Sequence, residues 1–127
     1  AAGLIPVVCV GEPSHIRTEG HATSYVRDQV LSSCEDLTEN LVIAYEPVWA
    51  SGSGEAASAD VASEMHLEIK AVLADRYPEL RVLYGGSVKP DNCAAFTMAT
   101  GIDGLLVGGA SLSAESFWNI CASAKGA

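Results

Sequence analysis

Four short apolar runs, rich in β-branched residues, divide the chain. They cover residues 4–10, 41–45, 80–84 and 104–107. Each run is apolar at consecutive positions, which is typical of strands buried on both faces. The pattern therefore predicts four β-strands. Pro6 lies in the first run and cannot donate a backbone hydrogen bond there, so it indicates a strand start or an edge strand.

Segments with helical periodicity separate the runs. The apolar stripes are Val26, Val30, Cys34 and Leu37, followed by Val61, Met65, Ile69 and Val72. Ser58 is a suitable N-cap for the second stripe, and Tyr77-Pro78 is expected to stop that helix. Pro90 suits the first turn of a third helix, and Ser113 the start of a fourth.

The predicted order is β-α-β-α-β-α-β-α. Strands that are each followed by a crossover helix must be parallel, so the fold class is α/β with four parallel βα units. No low-complexity or Pro/Gly-rich linker interrupts the chain. We therefore expect a single domain over residues 1–127.

Composition excludes several classes of protein. The chain has 127 residues, of which 49% are hydrophobic and 18% charged, so it is not a disordered acidic tail. Its net charge of −9 argues against nucleic-acid binding. No apolar stretch reaches the roughly 18–20 residues of a membrane span. Residues 1–10 lack the basic region of a signal peptide and are interpreted as a core strand.

The cysteines and histidines give no metal-site pattern. Cys9, Cys34, Cys93 and Cys121 are dispersed, and they do not cluster with His15, His21 or His66. We expect no metal site and no disulfide framework, and interpret the cysteines as those of a reducing cytoplasm. All three histidines are expected at the surface.

The chemically distinctive residues follow the strands. They are Glu12, Glu46, Gly85-Gly86-Ser87 and Gly108-Gly109. The carboxyl ends of parallel strands share one rim, where ligands bind in α/β folds. Glycines permit positive φ and close approach of a ligand, so the two pairs predict a phosphate cradle with Ser87 as a hydroxyl donor. The alternative is that the glycines merely form tight turns.

Glu46 is the carboxylate that requires an explanation. It follows an apolar strand and precedes Pro47, Val48 and Trp49. Apolar surroundings favour the protonated form of a carboxylic acid, which suits a general base. The alternative is a structural ion pair with a residue such as Arg17, and the residues alone do not separate the two.

Residues 49–57 are small and glycine-rich, which is compatible with a lid. They also match G-x-G-x-x-A over residues 52–57, a weak dinucleotide-binding fingerprint with Asp75 about twenty residues later. A fingerprint loop turns directly from strand to helix, whereas residues 46–49 intervene here, so dinucleotide binding is disfavoured.

Four stretches resemble one family. YEPVWASGSG (45–54) resembles the triosephosphate isomerase signature YEPVWAIGTG. CVGE (9–12), YGGSVKPDN (84–92) and GIDGLLVGGASL (101–112) resemble the same family in the same order and spacing. The resemblance covers essentially the whole chain. It implies the second half of a TIM (β/α)8 barrel, strands five to eight, and the cofactor-free interconversion of dihydroxyacetone phosphate and glyceraldehyde 3-phosphate in glycolysis and gluconeogenesis.

The resemblance also implies residue roles. Glu46 matches the general base that transfers a proton through an enediolate. The matched phosphate contacts are Gly52, Ser87, Gly108 and Gly109. The matched lid and hinge residues are Pro47, Val48, Trp49, Ala50, Ser51, Ser53 and Gly54. Tyr84 and Ser87 match the residues that hold the closed lid. Glu12 matches the carboxylate that meets the Trp49 indole in the open state. Cys9 matches a buried cysteine near the base, where filling core space is its favoured role.

The chain departs from the family pattern in two ways. Ser51 stands where isoleucine is common and is expected to shield the base less well, and Glu55 places a negative charge near the lid. The family's first half supplies an asparagine, a lysine and an electrophilic histidine, whereas Lys70, Lys89 and Lys125 do not follow strands in that way. We therefore expect the chain alone to be inactive.

Three interpretations stay open. The first is a fragment of a cytoplasmic triosephosphate isomerase, whose partners are the N-terminal half-barrel and, in the parent, a second subunit. The second is an isomerase of another short sugar phosphate, such as a tetrulose phosphate. The third is a non-catalytic half-barrel that binds phosphorylated metabolites.

Overall fold

The sheet contains four short strands. The computed structural model describes residues 2–37, 40–50 and 56–124. Its strands are β1 (Val7–Val10), β2 (Val42–Tyr45), β3 (Arg81–Tyr84) and β4 (Gly104–Leu105). All neighbours pair in parallel, in the order β1-β2-β3-β4. The predicted α/β fold is confirmed and is consistent with half of a (β/α)8 barrel.

Among the described residues, five α-helices and two 3-10 turns connect or follow the strands. They are α1 (Ser14–Thr18), α2 (Ala22–Ser33), α3 (Ala59–Leu73), α4 (Cys93–Thr97), α5 (Ala114–Ala124), and 3-10 turns at Val48–Ala50 and Gly109–Leu112. Ser58 caps α3 by accepting a hydrogen bond from the Val61 N–H at 3.2 Å. Ser113 accepts one from the Ser116 N–H at 3.3 Å, at the start of α5. Both predicted starts are confirmed.

Local hydrogen bonds move two predicted boundaries. Pro6 directly precedes β1, an edge strand, as its chemistry indicated. Pro90 lies before α4 rather than in its first turn, because Asn92 closes a separate turn there by accepting from the Lys89 N–H at 2.8 Å. Helix α3 ends at Leu73, and the Tyr77 N–H then bonds back to the Leu73 carbonyl at 2.8 Å. The short helix α1 was not predicted.

The two faces of the sheet differ in burial. Val10, Tyr45 and Tyr84 are buried in one core cluster with apolar residues of α2, α3 and α4. On the opposite face, Val7 is 50% exposed and Cys9 is exposed. The prediction that the strands are buried on both faces is wrong for this side of β1, because no apolar layer of the described residues covers it.

One histidine belongs to the core. His66 on α3 is fully buried, so the expectation that it lies at the surface is wrong. It occupies the same helical stripe as Ala62, Ile69 and Leu73, which are also buried. Burial lowers the pKa of His66 to about 4, and the bond to the Gly101 carbonyl offsets only part of that effect.

This burial predicts acid sensitivity. Because the pKa of His66 is lower in the folded chain (about 4) than the usual 6.5, only the unfolded chain gains this proton as pH falls through that interval. The free energy of unfolding should therefore drop by about 2 kcal/mol more in the parent chain than in His66→Phe between pH 7 and pH 5. Urea titrations at the two pH values measure this. Equal decreases in the free energy of unfolding for the two proteins would contradict it.

A second prediction concerns Gly11, directly after β1. A Cβ at this position would lie 1.7 Å from the Glu46 carbonyl oxygen, a backbone atom that cannot move aside. Gly11→Ala should lower the free energy of unfolding by about 3 kcal/mol, as for a severe overpacking change. Gly108→Ala is the matched control, since a Cβ there meets no atom of the described residues within 4 Å. Urea denaturation compares them, and similar midpoints would refute the prediction.

Candidate functional site

The strand register brings the predicted residues to one rim. Val10, Tyr45, Tyr84 and Leu105 form one row across the sheet. The ladder continues one residue further, since the Glu46 N–H donates to the Val10 carbonyl at 2.7 Å and the Gly85 N–H to the Tyr45 carbonyl at 2.8 Å. Glu46 therefore stands between the residues that follow β1 and β3.

Two glycines pack closely against Glu46. On one side Gly11 lies against its backbone carbonyl, and on the other a Cβ at Gly85 would lie 2.5 Å from the Glu46 Cγ. Glycine at position 11 leaves room for the Glu46 backbone, and glycine at position 85 leaves room for its side chain. Glu46 is half-buried. The carboxylate thus projects at the rim from a backbone that its neighbours restrain.

Glu12 is a buried carboxylate with three donors. None of its side chain is exposed. The Tyr45 hydroxyl lies 3.0 and 3.1 Å from its two oxygens, the Trp49 Nε1 donates at 3.1 Å, and the Arg17 Nη1 donates at 2.7 Å. Burial, followed by the Glu12 charge, raises the pKa of Tyr45. The contact between Glu12 and the Trp49 indole is the one that the resemblance led us to expect.

Arg17 does not neutralise Glu46. Its guanidinium forms the salt bridge with Glu12 and lies 4.9 Å from the centre of the Trp49 ring. The alternative in which Arg17 pairs with Glu46 is therefore wrong. Arg17 occupies α1, the helix that the periodicity did not reveal, and its partner could not be chosen from spacing alone.

The candidate hinge residues form a turn beside this cluster. Pro47 and Ala50 are buried, whereas Val48 is exposed. The Val48 N–H donates to the Glu12 carbonyl at 3.1 Å, and the Ser87 hydroxyl donates to the Ala50 carbonyl at 2.9 Å. This turn is thus held both by Glu12, after β1, and by Ser87, after β3.

The central part of the candidate lid, namely Ser51, Gly52, Ser53, Gly54 and Glu55, lies outside the described residues. So does most of the weak dinucleotide-binding pattern. Beyond this segment the Ala57 N–H donates to the Tyr84 hydroxyl at 3.2 Å. Tyr84 is fully buried and stacks on Phe96 at 4.0 Å between ring centres. Tyr84 and Ser87 therefore contact the described chain on opposite sides of residues 51–55.

The glycine pairs serve different purposes. None of Gly85, Gly86, Gly108 and Gly109 has positive φ, so that part of the expectation is wrong. Gly85 and Gly86 are required by close packing, since a Cβ at Gly86 would lie 2.1 Å from the Tyr84 hydroxyl oxygen. Gly108 and Gly109 are exposed, at the start of a 3-10 turn, and packing against the described residues does not require glycine at either position.

Cys9 differs from the residue it was matched to. It is exposed rather than buried, because its face of β1 is uncovered. It does lie near Glu46: partial burial of the thiol, followed by the Glu46 charge, raises the pKa of Cys9. Its favoured role of filling core space is therefore wrong in this arrangement.

Metal-binding clusters and membrane-spanning helices are both absent from the described residues. Within residues 2–37, 40–50 and 56–124, no three His, Cys, Asp or Glu side chains are grouped so that they could hold a metal ion. No helix in the described parts of the chain is long and apolar enough to cross a bilayer.

Comparison with known proteins identifies the family. A family model described as triosephosphate isomerase matches residues 1–124. The chain is 48% identical over 122 residues to the triosephosphate isomerase of Xanthobacter flavus, covering 91% of this chain and 49% of that relative. It is 47% identical over 124 residues to that of Thermus thermophilus, covering 91% of this chain and 50% of the relative. The chain thus spans about half the length of these relatives, and it belongs to the triosephosphate isomerase family.

Proposed function

We propose that this chain supplies the general base and the phosphate contacts of an enzyme that interconverts dihydroxyacetone phosphate and glyceraldehyde 3-phosphate. Glu46 removes a proton from one substrate carbon and returns it to the neighbouring carbon through an enediolate. The proton transfer requires no cofactor. The names of the relatives supply the substrate, and the position of Glu46 supplies the chemistry.

The observation that carries the proposal is the environment of Glu46. Its backbone is restrained between Gly11 and Gly85, while Arg17, the basic residue considered as its partner, is bonded to Glu12. A carboxylate that is held in position and not paired with that guanidinium can accept a proton from carbon. General-base catalysis by a positioned side chain contributes typically about 10²–10⁴-fold to a rate.

The described hydrogen bonds at Trp49 and Ala57 support the proposed hinge and lid. Pro47, Val48, Trp49 and Ala50 form the leading hinge in this proposal, and Ser51, Gly52, Ser53 and Gly54 the lid. Glu12 holds the Trp49 indole and Tyr84 accepts from Ala57, so the described residues on both sides of the segment have defined partners. Closure of such a segment excludes water from the base.

The proposed phosphate contacts are Gly52, Ser87, Gly108 and Gly109. Gly108 and Gly109 are exposed at a strand end where described packing does not demand glycine, which supports close approach of a ligand. The Ser87 hydroxyl donates to the Ala50 carbonyl in this arrangement. Because a hydroxyl has a single O–H, Ser87 gives up its bond to Ala50 when it donates to a phosphate oxygen, which links phosphate binding to the hinge.

The exposed face around Val7 and Cys9 supports a missing partner. We propose that residues 1–127 form one half-barrel domain of a cytoplasmic enzyme whose parent is a homodimer. The amino-terminal half would cover this face and contribute the groups that stabilise the enediolate oxygen. Oxyanion donors are often worth about 3–4 kcal/mol each, so the half alone should turn over triose phosphate poorly.

Glu46→Gln tests the base. The assay uses a hybrid barrel, in which this chain follows the first half of the Xanthobacter flavus relative. The amide has the same shape against Gly85 but cannot accept a carbon-bound proton, so kcat should fall about 10³-fold with KM changed less than about threefold. The unsubstituted hybrid is the control. A large rise in KM with kcat retained would make Glu46 a binding residue.

Gly108→Ala tests the phosphate contact. Because a Cβ meets no described atom, the free energy of unfolding should change by less than about 0.5 kcal/mol. A methyl group that crowds the phosphate should raise the KM of the hybrid barrel about tenfold, equal to about 1.4 kcal/mol of binding. Steady-state kinetics and inorganic phosphate inhibition measure this. An unchanged KM and phosphate inhibition constant would remove Gly108 from the site.

A further inference from the structure

His66 lies between the two tyrosines that end the central strands. Its ring meets Tyr45 edge-on at 5.7 Å between ring centres and an interplanar angle of 85°. On its other side Tyr84 lies 6.5 Å away, tilted by 36°. Tyr45 directly precedes Glu46, and Tyr84 directly precedes Gly85, which packs against the Glu46 side chain.

The hydroxyls of these tyrosines reach different sides of the candidate lid. Tyr45 donates to Glu12, which accepts from the Trp49 indole, whereas Tyr84 accepts from the Ala57 N–H. The two tyrosine hydroxyls serve separate hydrogen-bond networks, and their rings share the His66 neighbour. His66 is therefore a buried neighbour common to both networks.

A hydrogen bond to the Gly101 carbonyl orients the His66 ring. The His66 Nδ1 lies 3.3 Å from the Gly101 carbonyl oxygen, and in the neutral ring Nδ1 can donate to it. The Nε2 atom is buried and has no hydrogen-bond partner among the described residues. Burying an unsatisfied polar atom is unfavourable, and an apolar side chain would avoid that cost. The His66 ring is therefore oriented by one bond, at Nδ1, and it lies between the two tyrosines.

We propose that His66 is a positioning residue for Glu46 and for the Trp49 hinge, acting through the rings of Tyr45 and Tyr84. The ring sets the spacing of the two tyrosines. Tyr45 then fixes the position of the Glu12 carboxylate, which binds the Trp49 indole. Tyr84 fixes the position of the Gly85-Gly86 backbone, which packs against Glu46. This role rests on the proposed function of Glu46, but its effect on Trp49 does not.

Tryptophan fluorescence tests the structural part of the proposal. The chain has two tryptophans, and Trp118 is exposed on α5, so Trp118→Phe leaves Trp49 as the single reporter. In that background His66→Leu removes the ring and should shift the Trp49 emission to longer wavelength. His66→Phe restores a ring and should return the emission towards that of the parent. Ile69→Val, a buried change on the same helix, is the control and should leave the emission unchanged.

Kinetics of the hybrid barrel test the positioning part. His66→Leu should lower kcat about tenfold with KM within about twofold, because misplacement of the base affects chemistry more than binding. His66→Phe should recover most of that loss, and Ile69→Val should retain kcat. Equal emission and equal kcat for His66→Leu and His66→Phe would overturn the proposal.

A misfolded His66→Leu variant and an active Glu46→Gln variant would each change the comparison that decides. If His66→Leu fails to fold by circular dichroism, His66→Gln replaces it as the variant without a ring, and the same comparison with His66→Phe decides. If Glu46→Gln retains turnover, the proposed function fails. A Trp49 emission that still responds to His66→Leu but not to Ile69→Val would leave the coupling to the hinge standing in that case.

Discussion

The Glu12 carboxylate is completely buried, and three elements meet to satisfy it. Arg17 comes from α1, Tyr45 from the end of β2, and Trp49 from the 3-10 turn that follows Glu46. Leaving a buried acceptor without one of its donors costs roughly 1–3 kcal/mol, and more for a charged group, so displacing any one of these elements is unfavourable. The backbone on either side of Glu46 is held as a consequence, since Tyr45 precedes it and Val48 bonds to the Glu12 carbonyl.

Close packing imposes a second restraint on the same residue. Gly11 and Gly85 approach Glu46 from the two neighbouring strands, nearer than any side chain would permit. These glycines lie at the rim because Glu46 needs the space, and not because the chain turns there with positive φ. Gly86 plays the same part for the Tyr84 hydroxyl. The position of the proposed base thus depends both on these glycines and on the hydrogen bonds around it.

The two faces of the sheet divide the proposed activity between two halves of a barrel. The helix-covered face contains the supports of Glu46, including Tyr45, Tyr84 and His66, all fully buried. The opposite face of β1 exposes Val7 and Cys9, and Cys9 lies near Glu46. In the proposed enzyme, residues on the helix-covered face of this chain support the general base. The residues that would stabilise the reacting substrate lie on the side of the sheet that is uncovered here.

Sequence patterns alone determined the fold class, the four parallel strands, the caps at Ser58 and Ser113, and the gathering of Glu46 and its neighbours at one rim. These follow from local rules, because strand burial, helical periodicity and capping depend on residues close together in the chain. The family signature in residues 45–54 added the roles proposed for Glu46 and the hinge.

Only the tertiary structure decided which charges pair and which residues are buried. Arg17 was considered as a partner for Glu46, and the fold pairs it with Glu12 instead. His66 was expected at the surface, but the packing of α3 places it between two tyrosines that lie 21 residues before it and 18 residues after it in the chain. Cys9 was expected in the core and is exposed, because burial depends on the layer that covers a strand and not on the strand's own composition. Contacts between distant parts of the chain carry no local signal, so their outcome is set only when the elements pack.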